Sequence, residues 1–97
     1  MTYTPDTPAS FVNIVSATTT TVKSGAGTLR AILVNKLTAL GVITIYDNTA
    51  ASGTKIGTIT QPAALLANQL LIPYNCRFVT GLTIVTSTAD DITVLYI

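Results

Sequence analysis

Histidine, glutamate and tryptophan are absent from this 97-residue chain, and cysteine occurs once, as Cys76. Without histidine, neither a Ser-His-Asp triad nor a Cys–His nucleophile can be built. A single thiol also excludes an internal disulfide and a Cys/His zinc site. We therefore expect no catalytic residue, no cofactor and no metal centre, and we interpret Cys76 as a small core or interface residue.

Charge is scarce as well. Charged residues make up 9% of the chain and the net charge is +1, whereas average soluble proteins contain about 25% charged residues. The five basic residues are spread along the sequence, so they form no cluster of the kind that nucleic acid requires. A surface with little charge is weakly protected against self-association. We expect no nucleic-acid partner and a surface partly covered by another chain, with a threonine-rich free monomer as the alternative.

Long apolar runs are also missing. Polar residues interrupt every apolar stretch before it reaches the roughly 18 residues that a membrane-spanning helix needs. The opening sequence, MTYTPD, has neither the basic nor the apolar region of a signal peptide. These features predict a protein with no membrane partner, made in a cytoplasm in which a lone thiol stays reduced.

The chain does contain a succession of short segments rich in valine, isoleucine, threonine and tyrosine, which are typical of β-strands. Turn residues separate them at positions 24–27, 47–53 and 89–90. This spacing predicts an all-β fold, a single antiparallel β-sandwich that is jelly-roll-like and has about eight strands. The predicted strands cover residues 11–16, 18–23, 28–36, 41–47, 54–60, 69–79 (broken by Pro73), 81–87 and 90–97.

Two segments fall outside this pattern. Residues 1–10 contain two prolines, three threonines and one aspartate, which favours an extended N-terminal arm before a domain over residues 11–97. A frayed terminus is the alternative. Residues 62–67, PAALLA, could form a single helical turn, and we interpret them as a loop that crosses between the sheets.

Alternation along the strands predicts which side chains face the core. Ile56 and Ile59 fall on opposite faces by strict alternation, so burial of both requires a β-bulge near Gly57. Segments 41–47 and 90–97 carry apolar residues on both faces, so either their own chain covers them on both sides or their outer face meets a partner. A chain this short has little material to cover a sandwich twice, which favours the partner. The expected inner face includes Ile32, Val34, Ile43, Ile45, Leu82, Ile84, Ile92 and Val94.

Four residues have side-chain oxygens that could bind a hard cation such as calcium: Asp47, Asn48, Asp90 and Asp91. They are also ordinary loop residues, and this interpretation is favoured. Residues 24–28, SGAGT, are superficially similar to a phosphate-binding loop, but a strand-like segment follows them instead of a helix, so they predict a turn. The threonine run at 18–21 lacks the fixed repeat of an ice-binding array, and the dispersed tyrosines offer a sugar no aromatic platform.

Several segments together resemble small virion structural proteins of tailed bacteriophages. They are 22–29 (VKSGAGTL), 32–35 (ILVN), 44–56 (TIYDNTAASGTKI), 81–85 (GLTIV) and 91–94 (DITV), and the resemblance covers about residues 20–97. It implies a β-sandwich of the kind found in capsid decoration proteins, head fibres and other virion parts.

From this resemblance we expect a capsid decoration (cement) protein. It would bind the major capsid protein on the outside of the assembled phage head and stabilise the head. The alternative is a fibre, collar or tail-associated module that binds a host receptor or glycan. The resemblance also implies a homo-oligomer, with a trimer preferred, located on the capsid exterior of the virion.

Overall fold

The computed structural model describes residues 8–62 and 70–97 and contains eight β-strands. Those residues form no helix, and therefore none long and apolar enough to cross a membrane. Every strand lies within about two residues of its predicted position, as boundary assignments allow. The strands are β1 (Ser10–Ile14), β2 (Thr19–Ser24), β3 (Gly27–Lys36), β4 (Val42–Asp47), β5 (Thr54–Thr60), β6 (Leu70–Phe78), β7 (Gly81–Thr86) and β8 (Asp91–Tyr96).

The strands pair as nested antiparallel ladders in which the first strand pairs with the last. β1 pairs with β8, β2 with β7, β3 with β6, and β4 with β5. Two more ladders, β3–β8 and β4–β7, complete sheet A, of order β1-β8-β3-β6, and sheet B, of order β2-β7-β4-β5. A long hairpin folded over into two four-stranded sheets is a jelly roll, so the predicted eight-stranded sandwich is confirmed.

One hydrophobic core lies between the two sheets. All eight residues predicted for the inner face have no exposed surface. Ile14, Leu29 and Phe78 belong to the same core, although alternation did not single them out. Burying a side chain of this size stabilises a fold by about 1.5–3 kcal/mol, so packing between the sheets supplies the stability that a disulfide cannot.

β5 contains the bulge that the spacing of its isoleucines predicted. The β4–β5 register shifts beside Ile45, which pairs with Gly57, and Ile56 is the extra residue. Both Ile56 and Ile59 pack against the core. A Cβ atom at Gly57 would lie 2.7 Å from the hydroxyl oxygen of Tyr74, so the glycine also leaves room for this tyrosine.

β6 runs unbroken through Pro73, where the sequence predicted an interruption. β6 is an edge strand of sheet A, and at an edge the missing N–H of a proline need not face another strand. The irregularity lies instead at Asn75, which has φ +50°, and the β3–β6 register shifts beside it. The predicted break at Pro73 was therefore wrong, because an edge strand can continue through a proline.

Two glycines with positive φ form the turns that the sequence predicted. Gly25 has φ +95° between β2 and β3, and Gly53 has φ +83° before β5; glycine adopts this conformation at little cost. Asn48 closes the second loop by donating from Nδ2 to the carbonyl oxygen of Ser52 at 2.8 Å. β2 ends at Ser24 and β3 begins at Gly27, so the interpretation of this segment as a turn before a strand is confirmed.

Two predicted features lie mainly outside the described residues. The crossing loop at 62–67 falls there except for Pro62, and the N-terminal arm falls there except for residues 8–10. Ser10 already belongs to β1, so the sandwich begins one residue before the predicted domain boundary.

Candidate interaction surface

The outward face of sheet A carries a row of apolar residues that crosses all four strands. Phe11 of β1 pairs with Leu95 of β8, Leu95 pairs with Ala31 of β3, and Ala31 pairs with Pro73 of β6. Directly paired residues point to the same face of a sheet. Val94, the neighbour of Leu95, is buried in the core, so the row of Leu95 faces outward.

A second apolar pair widens this row. Leu33 lies two residues beyond Ala31 in β3 and pairs with Leu71 of β6, so both leucines share the outward face. Phe11 and Leu71, at the two ends of the row, are 69% and 59% exposed. Leu33 and Leu95 between them are half-buried, and Ala31 is 9% exposed. A contiguous exposed apolar surface often marks a site of interaction. We define the apolar patch as Phe11, Ala31, Leu33, Leu71, Pro73 and Leu95.

Polar side chains border the apolar patch on one side. Asn13 and Asn35 both donate from Nδ2 to Oδ1 of Asp91, at 2.7 and 3.2 Å. Asn35 also donates to the hydroxyl oxygen of Thr93 at 3.0 Å, and Thr93 pairs with Leu33 of the patch. The carboxylate at this border is therefore held by two amide groups of its own chain.

The outward face of sheet B is lined mainly by threonine. Thr19 pairs with Val85, Val85 with Thr44, and Thr44 with Thr58, forming one row across four strands. Tyr46 lies two residues beyond Thr44 on the same face and is half-buried. The two outer faces of the sandwich therefore differ in chemistry, with hydroxyl groups on sheet B and the apolar patch on sheet A.

Sequence alone indicated two-sided apolar strands at 41–47 and 90–97, and the structure separates the two cases. The second segment contributes Leu95 to the apolar patch. The first forms β4, whose outward residues Val42, Thr44 and Tyr46 are half-buried. Most of the patch comes from β3 and β6, and the signal that could have identified them is the uninterrupted apolar stretches at 31–34 and 70–72.

Among the candidate cation ligands, Asp47 is bonded to the backbone of a neighbouring turn. Its carboxylate accepts hydrogen bonds from the N–H groups of Thr80 at 2.8 Å, Val79 at 3.0 Å and Gly81 at 3.4 Å. The bonds from Thr80 and Val79 hold the pKa of Asp47 below its usual range. Asp47 thus fastens the end of β4 to the β6–β7 turn.

The other three candidates belong to separate hydrogen-bond networks. Asn48 bonds to Ser52 within its own loop, and Asp91 bonds to the two asparagines beside the apolar patch. Asp90 is buried, and its Oδ1 accepts a hydrogen bond from the hydroxyl of Thr88 at 2.7 Å. Over residues 8–62 and 70–97, no group of three or more acidic or thiol side chains is placed to hold a metal ion.

A buried polar cluster at one end of the sandwich was not expected from the sequence. Gln61 is 2% exposed, and its Oε1 accepts a hydrogen bond from the backbone N–H of Thr38 at 2.7 Å. Nε2 of Gln61 and Oδ2 of Asp90 are buried without a partner. A Cβ atom at Gly41 would lie 2.6 Å from this Nε2, so the glycine makes room for the glutamine. The cluster lies inside the fold and presents nothing to a partner.

Cys76 lies in β6, opposite Leu29, and packs half-buried against the core. Burial raises the pKa of its thiol, and the negative charge of Asp47 raises this pKa further. Burial also raises the pKa of Tyr74, which lies beside the thiol. A thiol that stays protonated is a weak nucleophile, so its surroundings suit the interpretation of Cys76 as a packing residue.

The comparisons with known proteins identify no relative from which a function could be inferred, so the fold and its surfaces are the structural basis for a proposal. No protein-family model, curated protein or solved structure matches this chain. The virion role expected from the sequence segments stays a prediction, and the apolar patch is the surface feature of the fold on which a proposal can rest.

Proposed function

We propose that this chain is a structural subunit of a phage virion, a decoration (cement) protein that binds the outside of the assembled head and stabilises it. The observation that carries the proposal is the apolar patch, an exposed apolar surface on a chain without histidine or glutamate. The resemblance of the sequence segments to small virion proteins supplies the virion part. In this proposal the apolar patch packs against the major capsid protein.

The size of the face bears on how it binds. Four strands spaced about 4.8 Å apart span about 19 Å, and strands of this length run about 17–33 Å. One face therefore offers roughly 300–600 Å², below the ~800 Å² per partner of a standard interface. Such a face binds weakly as a single copy, and linked copies on a repeating shell gain from multivalency. Homo-oligomerisation is accordingly part of the proposal.

Stabilisation of the head follows from mass action. A subunit that binds the assembled shell and not its dissociated parts shifts the equilibrium toward the shell. The low charge of the chain suits this role, because an apolar contact does not weaken as salt rises in the way that exposed ion pairs do. Salt tolerance of head binding is therefore expected.

Co-sedimentation with assembled heads that lack this chain tests the proposal. Leu71→Lys places a charge at the β6 end of the apolar patch, at an exposed position, and burying it against a partner is costly. We expect the variant to lose at least about tenfold in affinity, which corresponds to about 1.4 kcal/mol. The matched control is Thr58→Lys, an exposed position on sheet B, which should bind as the unmodified chain does.

Binding of the unmodified chain to host envelopes instead of heads would contradict the decoration role. It would favour the second candidate, a fibre, collar or tail-associated module that recognises a host glycan. The threonine face of sheet B is the observation that favours this candidate, because its hydroxyl groups can exchange hydrogen bonds with those of a sugar. In that case Thr58→Lys, and not Leu71→Lys, should weaken envelope binding.

A further inference from the structure

Each sheet of the sandwich ends in two edge strands, β1 and β6 in sheet A and β2 and β5 in sheet B. Edge strands expose unpaired backbone groups, which natural proteins block with proline, bulges or lysine. Three of the four edges carry such features. β6 has Pro73 and the bulge at Asn75, β5 has Lys55 beside its bulge, and β2 has a register shift next to Lys23.

β1 has none of these features. Its sequence is SFVNI, and its register with β8 is unbroken over all five residues. No charged residue occurs between Asp6 and Lys23, so two copies of this edge can meet without like-charge repulsion. Phe11 and Val15, on the strand and just after it, are 69% and 57% exposed. An uncharged and apolar edge of this kind favours pairing with another strand.

The backbone groups of Phe11 and Asn13 point away from sheet A. Thr28 of β3 and Ile97, just after β8, exchange both backbone hydrogen bonds, at 2.8 and 2.9 Å. Backbone groups alternate in direction along a strand, so Leu95 also points toward β3 and not toward β1. Phe11 lies opposite Leu95, and Asn13 lies two residues further on. Their N–H and C=O groups therefore face the side of β1 on which the described residues place no strand.

We propose that β1 is a subunit interface at which two copies of this chain pair their β1 strands antiparallel about a two-fold axis. Pairing centred on Val12 allows Phe11 of each copy to exchange both backbone hydrogen bonds with Asn13 of the other. The two sheets A then form one continuous eight-stranded sheet, and the two apolar patches lie side by side.

The two-fold arrangement follows from which edges are available. An isologous contact uses the β1 strands of both copies at once, and the remaining edges carry proline, bulges or lysine, so assembly stops at the dimer. A three-fold ring built through β1, of the order that the resemblance implies, would have to pair β1 with one of these blocked edges. The dimer deepens the proposed function, of which homo-oligomerisation is a part, but the pairing of β1 does not depend on what the apolar patch binds.

The test is the mass of the purified full chain by light scattering over a wide range of concentration, together with amide hydrogen exchange. We expect twice the monomer mass at high concentration and protection of the Phe11 and Asn13 amides only where the dimer forms. Asn13→Pro removes the backbone N–H that points to the second copy, and this N–H makes no hydrogen bond to β8. The variant should therefore fold and remain monomeric. Asn13→Ala, the matched control, loses the same side-chain bonds to Asp91 and Ile92 but keeps the N–H and should dimerise.

A chain that is monomeric at every concentration, a trimer, or a dimer unaffected by Asn13→Pro would overturn the proposal. Protection of Phe11 and Asn13 that is independent of concentration would also overturn it, because another part of the same chain would then cover the edge. If circular dichroism shows that Asn13→Pro fails to fold, amide exchange in the unmodified chain decides. Leu71→Lys should lose head binding while remaining dimeric, so failure of this proposal and failure of the proposed function can be told apart.

Discussion

Asp47 accepts a 2.8 Å hydrogen bond from the backbone N–H of Thr80, a residue 33 positions further along the chain. This bond fastens the end of β4 in sheet B to the turn that leads from β6 in sheet A to β7 in sheet B. A loop carboxylate that the sequence identified as a possible cation ligand therefore serves to hold the two sheets in place at this end.

Asp47→Asn is expected to lower the melting temperature at neutral pH. The pKa of Asp47 is lowered in the folded protein, so its carboxylate stabilises the fold fully above the unfolded pKa of about 3.9. This contribution is lost as the pH falls through the lower pKa of the folded state. Thermal unfolding of both proteins from neutral to acid pH provides the measurement. The difference between them should shrink in acid, and a difference that stays constant with pH would contradict the assignment.

Gly57→Ala should destabilise the fold by about 1–3 kcal/mol, the usual cost of overpacking. The new methyl group would lie 2.7 Å from the hydroxyl oxygen of Tyr74, whereas the nearest ring carbons are 3.3 and 3.4 Å away. Tyr74→Phe removes the closest contact, so the double variant should recover part of the lost stability. Denaturant unfolding of the four proteins in a double-mutant cycle measures this coupling. Additive effects with no recovery would show that the tyrosine is not the obstacle.

Leu40→Gly should leave the fold as stable or stabilise it by up to about 1 kcal/mol, because a left-handed backbone costs a residue with a side chain about 1–2 kcal/mol. Leu40 has φ +62° and is 67% exposed, so little packing is lost. Ala39→Gly is the control, since Ala39 is exposed and does not have a positive φ. That change should destabilise the fold through added freedom of the unfolded chain. Equal losses from both glycines in chemical denaturation would contradict the strain at Leu40.

Cys76 should react slowly with thiol reagents at neutral pH, because burial raises the pKa of its thiol and the thiolate is the reactive form. Alkylation followed by mass spectrometry should speed up as the pH rises above the ordinary value of about 8.5. Denaturant should remove the delay, since unfolding exposes the thiol. Cys76→Ser should retain the dimer and head binding. Rapid alkylation of the folded chain at neutral pH would contradict the packing role.

The sequence by itself determined the strands and the core. Valine, isoleucine and threonine in short segments, separated by glycine, asparagine and aspartate, located all eight strands. Period-two alternation identified residues such as Ile43, Ile84 and Val94 as buried, because a side chain's face depends only on its position along its own strand. The same alternation located the bulge at Gly57. Strand position, buried face and bulge are all local properties of the chain, so the local sequence pattern is sufficient to predict them.

The tertiary structure alone decided which residues share an outer face and which strands lie at an edge. Phe11, Ala31 and Leu71 form one apolar patch only because the ladders place β1 and β6 on either side of β8 and β3. Their positions in the sequence do not show that they share a face. The sequence likewise does not show that Pro73 and Phe11 lie on edge strands. Whether a strand lies inside a sheet or at its edge depends on pairings between distant residues. The packing of the two sheets sets these pairings, and the alternation of side chains along a single strand carries no information about that packing.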